Sequence, residues 1–168
     1  MEKNLLETGH VVKGRTVARL WAIKALYQIE LLNSDPNSIV DEFLKYRIDR
    51  VIDGNDYAKT DKEHFKWLVL NISSNSHLID SEMIKALQSD WTIERLGVLL
   101  RIMLRAGTSE LISRHDIPVR VVVNEYVDLA TAFFFDREPA FVNAALDALA
   151  RRLRTKEFGA NAEVKSDA

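Results

Sequence analysis

The strongest constraint on this chain is the spacing of apolar residues in its second half. Val119, Val123, Tyr126, Val127, Ala130 and Phe133 recur every few positions, and Val142, Ala145, Leu146, Leu149 and Leu153 do the same. That spacing gathers each set on one side of a helix with 3.6 residues per turn, whereas a strand would need alternation. It also assigns Val121-Val122-Val123, which alone reads as strand, to a helix. Pro118 and Pro139 stand where a first helical turn tolerates a missing N–H. The pattern recurs earlier in the chain. A first helix is expected from Arg15 to Leu32, apolar on most sides and therefore central, ending at the turn formers Asn33-Ser34-Asp35-Pro36. A second fits Ser38 to Arg47, and a third follows Asp61 as N-cap, with Phe65, Leu68, Val69 and Ile72 as its stripe. A brief fourth starts at Asp80 or Ser81, and a fifth runs from Ile93 to Ser113. Gly107 lies inside the fifth at a cost of about 1 kcal/mol relative to Ala, which points to close packing or a bend. With only six glycines and three prolines, few turns are available for a many-stranded fold. The expected class is all-α, with about seven helices.

Charge and composition narrow the function. The formal net charge is −2, so no global field draws this molecule to nucleic acid or to an anionic membrane. A nucleic-acid binder of this kind must use a local patch. Two stretches offer one: Lys13, Arg15, Arg19 and Lys24 near the start, and Arg151-Arg152-Leu153-Arg154 near the end. Solvated helix faces explain the same residues. The absence of cysteine excludes disulfides and thiolate metal sites. The start of the chain does not read as a signal peptide, and no apolar run approaches the roughly 20 residues that span a bilayer. A cytoplasmic location and no membrane contact are expected. Residues 1–14 are expected to be a flexible N-terminus and 157–168 a flexible tail around a domain of 15–156.

Catalysis finds little support. The four histidines have neither i, i+4 pairing nor cysteine partners, and no phosphate-binding Gly-rich loop is present. Ser113 and His115 are sequence neighbours at an expected helix end, which does not make a triad. Glu125 and Asp128 share a helix surface as ordinary carboxylates. No enzyme activity, metal or cofactor is expected. One segment hints at binding instead. Asp136-Arg137-Glu138-Pro139-Ala140-Phe141 sets an arginine and an aromatic at a helix start, where free N–H groups attract anions and a ring can stack on a base. On the residues alone, a core phenylalanine behind an ordinary cap is the favoured reading of the same segment.

Several segments together resemble the NusB family. They are Arg15-Thr16-Val17-Ala18-Arg19 followed by Ala25-Leu26-Tyr27, then Leu104-Arg105-Ala106-Gly107, Glu110-Leu111 and Asp116-Ile117-Pro118. Val123-Asn124-Glu125-Tyr126-Val127-Asp128-Leu129-Ala130 and Phe141-Val142-Asn143-Ala144 with Leu146-Asp147 complete the series. Their order and spacing over about Arg15 to Arg152 carry the resemblance. It implies an all-helical fold of two packed subdomains, 15–79 and 80–156, without a cofactor. It also implies a transcription antitermination factor that binds boxA-type single-stranded RNA with ribosomal protein NusE and helps RNA polymerase read through terminators, notably in ribosomal RNA operons. By that resemblance Arg15 and Arg19 match the basic RNA-binding start, Lys13 joins them by charge, and Phe141 matches the aromatic near the RNA, with Arg137 in the loop before it. Glu94 falls where the family faces NusE.

The chain departs from the family pattern at Thr16 and Val17, where arginines are common, and at Phe134 and Ala144, where glycines are common. Arg19→Glu is expected to weaken RNA binding while leaving the fold intact. Two other readings remain: a free-standing relative of the RNA-binding domain found in rRNA methyltransferases, and a helical adaptor that binds protein alone. Apolar faces on short helices also permit a homodimer.

Overall fold

The computed structural model describes residues 14–49, 59–87 and 92–158. Among them are seven α-helices, one 3-10 turn and no strand. The helices are α1 (Gly14–Leu32), α2 (Pro36–Tyr46), α3 (Lys62–Ser74), α4 (Ser76–Ala86), α5 (Val98–Ser113), α6 (Val119–Phe133) and α7 (Glu138–Leu153), with the 3-10 turn at Ile93–Arg95. The chain divides into two compact units, Met1–Ser76 and His77–Ala168.

In the first unit α1, α2 and α3 pack against one another. Ala18, Ala22, Ile23 and Ala25 on α1 are fully buried, as are Phe43 on α2 and Phe65, Leu68 and Val69 on α3. The alanines let the helices approach closely, and the aromatics fill the space between them. The Phe43 and Phe65 rings stack with centroids 6.0 Å apart, and Trp21 meets Phe43 edge-on at the same distance. The α1 C-terminus closes as the turn formers predict. Asn33 takes the left-handed conformation (φ 49°) and the Ser34 N–H donates back to the Ile29 carbonyl at 3.2 Å. Asp35 caps α2 by accepting from the Ser38 N–H, with Pro36 in the first turn. α2 therefore begins two residues before the expected Ser38.

In the second unit α5, α6 and α7 form the core. Met103, Leu104, Leu111, Val122, Tyr126, Leu146 and Leu149 are fully buried. Gly107 makes that packing possible. A Cβ there would stand 2.7 Å from Leu146 Cδ2 and 3.3 Å from the Tyr126 ring, so the glycine marks close packing between helices rather than a loop. α4 is tied to α5 by the bidentate Asp80–Arg105 pair at 2.7 and 2.8 Å, and to α7 by Glu82 and Arg152.

Two boundaries differ from the sequence expectation. α4 starts at Ser76 rather than at Asp80 or Ser81, because the polar residues before it form the exposed side of a helix and not a loop; only Asn75 separates it from α3. α5 starts at Val98 rather than Ile93, because Gly97 interrupts the chain and Ile93 and Leu96 anchor the 3-10 turn instead. No helix among the described residues is long and apolar enough to cross a membrane.

Candidate nucleic-acid interface

The start of α1 is built on Gly14. Its carbonyl accepts from the Asp61 N–H at 3.0 Å, and a Cβ on it would collide with the Lys59 carbonyl oxygen. Only glycine lets the first turn of α1 lie against the 59–61 segment. Asp61 then serves twice: its carboxylate accepts from the His64 N–H at 3.0 Å as the α3 N-cap, and it pairs with Arg15 Nε at 3.6 Å. Burial works against ionisation here, but the His64 N–H and the nearby His64 and Arg15 charges outweigh it. The Asp61 carboxyl is held below its ordinary range. Arg15 keeps 40% of its side chain exposed. It stands at the surface, tethered by a partner.

Arg19 does not share that surface. It is 1% exposed, on a helix whose neighbouring positions Ala18, Ala22 and Ile23 are fully buried. The expectation that Arg19 meets RNA therefore gives way, and Arg19→Glu becomes a test of the fold. Lys13 lies outside the described residues.

The end of α7 separates its arginines in a similar way. Arg151 pairs with Asp147 at 2.9 Å across one helical turn, and Arg152 reaches Glu82 at 3.3 Å. Arg154 is 4% exposed. All five of its N–H donors are engaged: Nε with the Leu111 carbonyl at 2.9 Å, Nη1 with Ile117 and the Glu157 carboxylate, and Nη2 with the Glu110 and Arg114 carbonyls. Those carbonyls lie at the end of α5 and in the connection to α6, where a helix leaves its last carbonyls short of partners; Glu110 and Arg114 also accept from the Arg114 and Ile117 N–H groups, respectively. Glu157 completes the clasp by accepting from the Val119 N–H at the start of α6. The run is therefore not one basic patch. Residues 157 and 158, expected in a flexible tail, are held in place, with Arg151 over the Phe158 ring at 4.7 Å.

The loop between α6 and α7 carries the other candidates. Phe134 ends α6 in extended geometry, Arg137 precedes α7 with no side-chain cap bond, and Pro139 sits in the first turn. Arg137 is exposed and Phe141 is partly buried. The anion site expected at this helix start is weakened by its own sequence. Pro139 removes one donor, and Glu138 brings a negative charge to the positive end of the helix dipole. Arg137 and Phe141, rather than the free backbone, are what the site offers. Glu94 is exposed on the 3-10 turn, whose flanks Ile93 and Leu96 are buried.

Sequence reasoning missed two surface features. On α1, Tyr27 and Leu31 lie one turn apart and are 40% and 56% exposed. Tyr27 was legible only as part of a signature, although exposed apolar residues four apart are a readable sign of an outward stripe. Phe135, in the α6–α7 loop, is 73% exposed.

Comparison with known proteins decides the family. The sequence model of the NusB family matches residues 16–151. The chain belongs to the NusB family. Transcription antitermination protein NusB of Caulobacter vibrioides is 42% identical over 147 residues, covering 88% of this chain and 99% of that protein. Among solved structures, NusB of T. maritima superposes with a TM-score of 0.70 at 29% identity, covering 86% of this chain and 96% of its own. A crystal structure of antitermination factors NusB and NusE in complex with double-stranded RNA matches with a TM-score of 0.67 at 29% identity, covering 83% and 97%. The NusB likeness thus extends over both units in sequence, and the all-helical class agrees with the solved relatives.

Proposed function

We propose that this chain is a transcription antitermination factor that acts by binding RNA together with NusE, within the complex that carries RNA polymerase past terminators. The observation that carries the reading is the family match across residues 16–151, joined to a solved relative that holds both NusE and RNA. The exposed Arg137 and the partly exposed Arg15 contact phosphates, and Phe141 offers a ring at the start of α7. Lys13 joins them on charge. NusE takes the carboxylate of Glu94 in the second unit, and in the first unit the apolar stripe of Tyr27 and Leu31 is a further protein-binding surface. Few cations are involved, so RNA binding by this chain alone is weak, and a second protein raises the apparent affinity by coupling two modest surfaces. The reaction class is assembly, and the place of action is the cytoplasm.

The RNA is read as an unpaired boxA-type strand, whereas the solved relative holds a duplex. One titration addresses both points. Fluorescence anisotropy with a boxA-type single strand, its scrambled control and the matching duplex is followed with and without NusE. The expected result is tighter binding of the boxA strand when NusE is added and little binding of the scrambled strand. A flat signal for every RNA in dilute buffer with NusE present would defeat the reading and leave a protein-only adaptor. Preference for the duplex would move recognition from bases to backbone shape.

A further inference from the structure

We propose that Phe135 is a stacking platform for one unpaired base, a contact additional to Phe141; the proposal rests on the RNA-binding reading above. Phe135 is 73% exposed, more than any other large apolar side chain among the described residues. The loop explains how the ring is held outward. α6 ends at Phe133 and α7 begins at Glu138, so only four residues make the connection. Phe134 is extended (φ −122°, ψ 153°), and consecutive residues in extended chain point to opposite sides. Phe133 and Phe134 are both partly buried, leaving Phe135 on the outer side.

The surroundings select the occupant. Asp136 and Arg137 beside the ring are exposed, and Glu138 follows. Together the three formal charges come to about −1 at neutral pH. The loop does not attract a polyanion through its field, so the ring must act at short range. A nucleobase presents the flat uncharged face that such a ring accepts without regard to sequence. One phenyl ring contributes about 150–250 Å², well short of the roughly 800 Å² each partner gives to a stable protein interface. The residues after the ring are charged and the two phenylalanines before it are partly buried, so its sequence neighbours add little exposed apolar surface to it. An RNA base fits this site better than a protein side.

The test uses the full chain with NusE and a boxA-type single strand carrying 2-aminopurine at one position at a time. Phe135→Ala, Phe135→Leu and Phe135→Trp are compared with the unaltered chain, and circular dichroism confirms that each variant folds. Phe135→Ala and Phe135→Leu are expected to weaken binding about ten-fold, by the same factor at low and high salt, and to relieve the quenching of one 2-aminopurine. Phe135→Trp restores both signals. Arg137→Ala provides the contrast, with a loss that shrinks as salt rises. Unchanged affinity in Phe135→Ala overturns the proposal while leaving the RNA reading intact, and so does full activity of Phe135→Leu. A change in sedimentation of Phe135→Ala without a change in RNA affinity overturns it in favour of a second copy. Failure of the unaltered chain to bind any RNA removes the reading beneath it.

Discussion

The basic segment that opens α1 and the one that closes α7 look alike in sequence and are used differently. Each turns one arginine inward and keeps others at the surface. At the start of α1, Arg15 remains 40% exposed beside Asp61, while Arg19, one turn later, is buried in the middle of a helix. At the end of α7, Arg151 and Arg152 pair with Asp147 and Glu82, while Arg154 lies just past the last turn. That position lets Arg154 reach the carbonyl groups left over at the end of α5. The lesson is that a run of like charges measures neither exposure nor affinity. Position relative to the helix ends decides what each guanidinium can reach.

The sharpest way to break this comparison is to invert the buried charge in the first segment. Arg19→Glu is expected to cost about 3–5 kcal/mol, because it reverses the charge at a position that is only 1% exposed. Urea denaturation reads this directly. Native stability together with weakened RNA binding would return Arg19 to the surface group. Next in size, Arg154→Ala strips donors from the Glu110, Leu111, Arg114 and Ile117 carbonyls. The loss is about 3 kcal/mol, some of it recovered by entering water. Hydrogen exchange is expected to quicken most around the α5–α6 connection, and uniform loss across both units would contradict a local clasp.

The smallest effect concerns Asp61. Asp61→Ala removes the α3 cap and the tether of Arg15, at about 1 kcal/mol near neutral pH. The folded-state pKa of Asp61 is depressed, so its ionised form contributes stability above the unfolded value. That contribution is lost as pH falls through the folded one. The gap between the variant and the unaltered chain should therefore narrow in acid, below the ordinary carboxylate range. A gap that widened in acid would show that Asp61 acts protonated.

Periodicity made most of the fold legible. The stripes of α6 and α7, the Asp61 cap and the close packing at Gly107 all follow from residue spacing and from the cost of a mid-helix glycine. What spacing could not show was the fate of charged side chains. Arg19 and Arg154 are polar in any pattern analysis, yet burial depends on acceptors brought close only by folding. Helix starts were misplaced for a related reason. The polar stretch before α4 reads as loop because sequence does not distinguish an exposed helical face from a turn. In the α6–α7 loop, Arg137 and Phe141 were visible by their type and place. Phe135 was not, since among three consecutive phenylalanines only the backbone decides which one turns outward.

The clasp of Arg154 and Glu157 also sets an order of events during synthesis. The residues of the first unit have all been made by Ser76, so that unit can begin folding while the remainder is still being translated. The second unit must wait. The donors that close its α5–α6 connection, on Arg154, come after its last buried apolar residue, Ala150. A chain cut just before Arg154 would carry every buried apolar side chain described in that unit, through Ala150, and still lack the group that locks it.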